Sequence, residues 1–121
     1  MARILVIDDS AVQRIFAKSA LEADGHQVVE AKGGEEGLTL ARGQAFDCVL
    51  LDWLMPDTSG RDVLQAIHDD KLAQRVIVVT GGPDEAVREE SLRLGAAAVV
   101  DKPREAAELR DAVKIVIQRE V

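Results

Sequence analysis

A second cysteine, any tyrosine and an excess of basic residues are all missing from this 121-residue chain. One cysteine cannot close an internal disulfide, so nothing points to an oxidising compartment. Fifteen Lys and Arg stand against twenty-two Asp and Glu, a formal net charge of -7. That balance argues against direct binding to nucleic acid, where affinity rests on basic residues meeting phosphates. Long hydrophobic runs are absent too. The apolar stretch Arg3–Ile7 meets two aspartates at once, far too short for a membrane span and without the layout of a signal peptide. These absences leave a soluble cytoplasmic protein with no membrane partner as the expectation.

What is present is an ordinary globular balance, 47% apolar against 31% charged. No linker, internal repeat or low-complexity segment interrupts it, so residues 1–121 are expected to form one domain. Short unbroken apolar runs recur at Ile4-Leu5-Val6-Ile7, Val28-Val29, Cys48-Val49-Leu50-Leu51, Val76-Ile77-Val78-Val79 and Ala97-Ala98-Val99-Val100. Runs of this kind suit parallel strands buried on both faces. Helical spacing fills the gaps. Val12, Ile15, Phe16, Ser19 and Ala20 mark a first helix stopped at Gly25. Leu38 and Ala41 mark a second, ended near Gly43, and Val63, Leu64 and Ile67 a third, opening after Ser59-Gly60. Val87, Ser91, Leu92 and Leu94 mark a fourth, with Pro83 at its start and Gly95 past its end. Leu109, Val113 and Val116 mark the last, with Ile115 and Ile117 off that stripe. Five strands alternating with five helices predict an α/β fold, a doubly wound parallel sheet between helical layers.

In such a sheet ligands gather beyond the carboxyl ends of the strands. The first run ends in Asp8-Asp9, the third in Asp52, the fourth in Thr80 and the fifth in Asp101-Lys102. Taken singly each has a bland reading: an aspartate after a strand caps a turn, and a lysine is solvated. Together they form a set that solubility alone does not select. Two carboxylates ~4 Å apart repel by about 4 kcal/mol at an effective dielectric near 20. Such a cluster raises a pKa or recruits a cation, and oxygen donors with room for water suit Mg²⁺. Zinc is excluded by the scatter of His26, His68 and Cys48. The cysteine is expected in the core and both histidines on the surface beside turns. With Mg²⁺, a carboxylate can be the nucleophile toward a phosphoryl group, and Lys102 and Thr80 can help neutralise its oxygens.

In Asp8-Asp9, Asp52-Trp53-Leu54-Met55-Pro56 with Gly60 after it, Thr80, and Lys102-Pro103, the chain resembles the receiver domain of bacterial response regulators, of the CheY type. The resemblance covers essentially the whole length. It implies the flavodoxin-like (βα)5 fold with strand order 2-1-3-4-5, and Asp52 as phosphoacceptor. It implies Mg²⁺ ligation by Asp9, Asp52 and the backbone carbonyl of Leu54, with Asp8 acting through metal-bound water. Lys102 would pair with phosphoryl oxygens, and its bond to Pro103 is expected to be cis. Partners implied are a sensor histidine kinase or a histidine phosphotransfer protein, docking near Val12 and Ile15, and a downstream protein target. Thr80 would swing toward the phosphoryl group and draw Gly81-Gly82-Pro83 with it. Gly82 is expected to ease access for small donors and water, and Leu54 to hinder it. One position departs from the family: Val99 stands three residues before the lysine, where many receivers have Tyr or Phe. The chain is either a regulator without an output domain or a receiver from a longer protein, and in neither case a dedicated enzyme. A Mg²⁺-dependent phosphatase with an aspartyl intermediate is the alternative, though no insertion is long enough for a lid. An FMN-binding flavodoxin lacks both a phosphate-cradling loop and flanking aromatics.

Overall fold

The computed structural model describes residues 2–72, 75–82 and 84–118. Five strands, β1 (Arg3–Ile7), β2 (Gln27–Ala31), β3 (Cys48–Asp52), β4 (Val76–Thr80) and β5 (Ala98–Asp101), alternate with five helices. The helices are α1 (Ala11–Ala23), α2 (Gly34–Gly43), α3 (Gly60–Asp69), α4 (Glu85–Arg93) and α5 (Ala106–Gln118). All four strand pairings are parallel, in the order β2-β1-β3-β4-β5.

Strand side chains alternate between faces, and the core splits accordingly. Leu5, Ile7, Val49, Leu51, Val76 and Val78 join Val63, Leu64 and Ile67 of α3 in one layer. Ile4, Val6, Cys48, Leu50 and Ile77 join Ala17, Ala20 and Leu21 of α1 and Leu109, Val113 and Val116 of α5 in the other. Cys48 fills core volume as expected, and burial pushes its thiol up to about 12. Gly25 and Gly95 follow α1 and α4 at φ +88° and +99°, the left-handed geometry that ends a helix and favours glycine. Among the described residues, no helix is long and apolar enough to cross a membrane.

Several expectations need correcting. β3 is buried throughout, but the edge strands β2 and β5 are mostly half-exposed, because each has a neighbour on one side only. On α1 the buried face is Arg14, Ala17, Ala20 and Leu21, whereas Val12 is 72% and Ile15 66% exposed. Packing against the sheet and α5 selected Ala17, Ala20 and Leu21, with Phe16 at the edge of that layer, and turned Val12 and Ile15 outward. On α4 Ser91 is buried and Leu92 exposed; Asp84 caps the helix, accepting from the N–H groups of Ala86 and Val87. Pro83 lies outside the described residues. Ile115 is exposed, but Ile117 packs against the α1–α5 layer. His68 is exposed, while His26 is half-buried and its Nδ1 accepts from Ala2 N–H at 3.0 Å. No peptide bond is cis among the described residues. Lys102–Pro103 is therefore trans, the form X–Pro bonds prefer, and Lys102 N–H still reaches the Thr80 carbonyl at 2.8 Å.

Candidate functional site

Parallel pairing brings the carboxyl ends of β1, β3, β4 and β5 to one rim. In register, Asp52 sits opposite Val79, and Thr80 opposite Asp101. Asp8 and Asp9 leave β1 there, and oxygens of Asp8, Asp9 and Asp52 all lie within 4.8 Å of one another. Asp8 and Asp52 are buried and Asp9 is exposed, so the cluster has an inner wall and an open side. Asp101 is not part of the cluster. It faces a neighbouring groove of about 300 Å³ lined also by Thr80, Asp84, Glu85, Arg88 and Val99.

The acid pair is held in place from α1. Ser10 N–H donates to Asp8 Oδ1 at 2.9 Å, and Ser10 Oγ accepts from Gln13 N–H at 3.3 Å, capping α1. Arg14 reaches back from that helix: its Nη1 donates to the Asp8 carbonyl at 2.7 Å, and its Nε lies 3.4 Å from Glu30 Oε1. Neither Ser10 nor Arg14 was among the residues expected to serve the site. The Ser-x-x-Gln spacing from Ser10 to Gln13 is a capping signature that points to the first. Nothing local points to the second, because a buried arginine is legible only once its partners are placed.

Asp52 bears the electrostatic consequence. Its carboxyl is raised from 3.8 to about 7, chiefly by burial and then by the Asp8 charge, with a smaller push from Asp9. Lys102 and an N–H bond from Leu54 act in the opposite direction. Buried like charges without a cation favour the proton. The same donors suit a hard divalent ion: several carboxylate oxygens, one side open for water, no Cys or His ligand.

The remaining expected residues sit around this cluster. Thr80 is buried, and its Oγ1 donates to the Gly82 carbonyl at 2.7 Å, so the hydroxyl is engaged with its own loop. Added Cβ atoms at Gly81 or Gly82 meet nothing within 4 Å. Leu54 is 77% exposed. Lys102 and Pro103 are half-exposed. Pro103 lines a cavity of about 30 Å³ with Asp8, Asp52, Gln13 and Phe16, room for a water. Val99 is half-buried against the main core, and its carbonyl accepts from Arg88 Nη1 at 3.2 Å.

A family model described as the response regulator receiver domain matches residues 4–114. Protein PilH of Pseudomonas aeruginosa is 37% identical over 105 residues, spanning 85% of this chain and 87% of PilH. The chain spans about half the length of other curated relatives, among them the transcriptional regulatory protein ResD of Bacillus subtilis, 32% identical and covered over 48% of its length. A CheY-like receiver domain protein from Methanospirillum hungatei superposes with a TM-score of 0.90 at 30% identity, over 97% of this chain and 94% of that one. TrrA of Thermotoga maritima, solved in complex with Mg²⁺–BeF, superposes at 0.85 with 32% identity, over 96% and 99%.

Proposed function

The chain belongs to the response regulator receiver domain family of two-component signalling, and from that premise we propose that Asp52 is its phosphoacceptor. The proposal takes residues 1–121 as one receiver domain working in the cytoplasm and charged by a histidine kinase or histidine phosphotransfer protein. The observation that carries it is the convergence of Asp8, Asp9 and Asp52 within 4.8 Å. The donor chemistry fits Mg²⁺, and TrrA, a relative by fold and sequence, was solved with that ion. Asp9, Asp52 and the Leu54 carbonyl would hold it, with Asp8 on its water shell; bound there, it supplies positive charge to phosphoryl oxygens.

The Asp52 carboxylate attacks phosphorus. An O–P bond forms as the N–P bond of a phosphohistidine, or the acyl O–P bond of acetyl phosphate, breaks. The imidazole or acetate leaves with the electron pair. Lys102, already acting on Asp52 by its charge, pairs with the incoming oxygens. Thr80 Oγ1 exchanges its bond to Gly82 for one to a phosphoryl oxygen, and the Gly81-Gly82 backbone follows. The open space at Gly82 eases access of water and small donors, while Leu54 restricts it. Val99 supplies no aromatic rotor, so the output passes through the Thr80 loop and the groove beside Arg88. Val12 and Ile15, exposed on the first turns of α1, offer the phosphodonor partner an apolar landing next to the acids. A receiver domain of this kind is not a dedicated enzyme.

Incubation with acetyl phosphate and Mg²⁺, followed by intact mass spectrometry, tests the assignment. One phosphoryl adduct is expected, lost with EDTA and in Asp52→Asn. Turnover of phosphate esters with no adduct would point instead to the phosphatase.

A further inference from the structure

The loop between β3 and α3, residues 53–59, carries Leu54, and its N–H donates to the Asp52 carboxylate. Three features hold this loop. At its ends Trp53 N–H donates to the Val79 carbonyl at 3.1 Å, and Gly60 N–H donates to the Trp53 carbonyl at 2.9 Å. In its middle Met55 packs against the core. The Leu54 side chain adds no anchor, being 77% exposed. The third hold comes from outside the site. Asp57 Oδ1 accepts from Gly34 N–H and Oδ2 from Glu35 N–H, each at 3.2 Å.

Those two N–H groups open α2, whose own cap residue, Gly33, has no side chain to satisfy them. Asp57 therefore caps, from twenty-odd residues away, a helix that lacks a cap in its own sequence. The approach is close. A Cβ at Gly33 would come within 2.8 Å of the Asp57 carboxylate oxygens, and one at Gly34 within 2.7 Å of Thr58 Cβ. The glycine pair is what lets the loop lie on the helix end. Although Asp57 is exposed, these bonds, with Glu35 N–H first, hold its carboxyl below the usual range. The helix N-terminus adds a favourable field for a carboxylate.

We propose that Asp57 is a positioning residue for the metal and phosphoryl site. It clamps the β3–α3 loop onto the N-terminus of α2 and so fixes the Leu54 backbone against the Asp8, Asp9 and Asp52 carboxylates. The inference rests on the receiver reading above, and it makes α2, which holds none of the site's residues, part of the site's support. Outer-shell groups of this kind tune affinity without touching the ion.

The test uses the full chain, with Mg²⁺ titrated against the fluorescence of Trp53, the sole tryptophan and the neighbour of Asp52, alongside thermal unfolding without metal. Asp57→Ala is expected to weaken Mg²⁺ binding about tenfold and to lower Tm by several degrees through the lost cap. Asp57→Asn, with one acceptor oxygen instead of two, falls between. The double variant D57A/G33D separates cap from clamp. Removing the Asp57 carboxylate frees the space a Cβ at Gly33 needs, and the new aspartate caps α2 within its own sequence. Tm then recovers while Mg²⁺ affinity stays low. Wild-type affinity in Asp57→Ala, or affinity regained together with Tm in the double variant, would overturn the proposal by reducing Asp57 to a helix cap. Failure of the wild type to bind Mg²⁺ at all would remove the receiver-site reading itself.

Discussion

Asp52 pays for its position in the metal-free protein. Its carboxyl is shifted up from 3.8 to about 7, so between those values the folded chain binds a proton that the unfolded chain does not. Stability must then fall as pH rises from about 4 to about 7, and stay low above it. Asp52→Asn removes the penalty. In EDTA the variant is expected to match the wild type near pH 4 and to exceed it at pH 8 by on the order of 4 kcal/mol, at about 1.36 kcal/mol for each pH unit between 3.8 and about 7. Urea unfolding at the two pH values measures this; an equal difference at both contradicts it. Val99 shows a different kind of residue-level information. Its identity departs from the family pattern in the sequence, but that Arg88 bonds its carbonyl is visible only in the structure.

Among the helices α4 is the most loosely seated. α3 buries Val63, Leu64 and Ile67, whereas the one buried residue of α4 is Ser91. Its Oγ is fully buried and makes no hydrogen bond, and a buried hydroxyl without a partner costs about 1–3 kcal/mol in proteins. Ser91→Ala removes that cost and favours the helix. It should stabilise the chain by ~1 kcal/mol in urea unfolding, and a loss of stability would mean that the hydroxyl has a water partner. The Thr80 loop leads into this weakly seated helix at Glu85, so a change at the site meets little resistance there. The helix ends were legible beforehand: Gly25 and Gly95 do stop α1 and α4. The rotation of α1 was not. Its apolar spacing is ambiguous, and Arg14 on the buried face runs against the usual expectation for a charged side chain.

For the molecule as a whole, the burial and neighbouring acids that raise the Asp52 carboxyl predict that a cation bound among Asp8, Asp9 and Asp52 stabilises the fold. Mg²⁺ at about a hundred times its Kd should add about 2.7 kcal/mol of stability, read as a rise in Tm reversed by EDTA. Protonation of Asp52 competes with the ion, so the rise is expected to be larger at pH 8 than at pH 5.5. A rise of the same size in Asp9→Asn would place the ion elsewhere. The sequence by itself determined the five strands, their carboxyl-end residues and hence the cluster, because strand length and strand-end chemistry are local and parallel pairing brings those ends to one rim. Only the tertiary structure decided which face of α1 is buried, that Lys102–Pro103 is trans, that Thr80 bonds Gly82, and that Asp57 caps α2. Each of these depends on contacts between segments distant in sequence or on a choice among conformers of similar energy, and residue spacing carries no record of either.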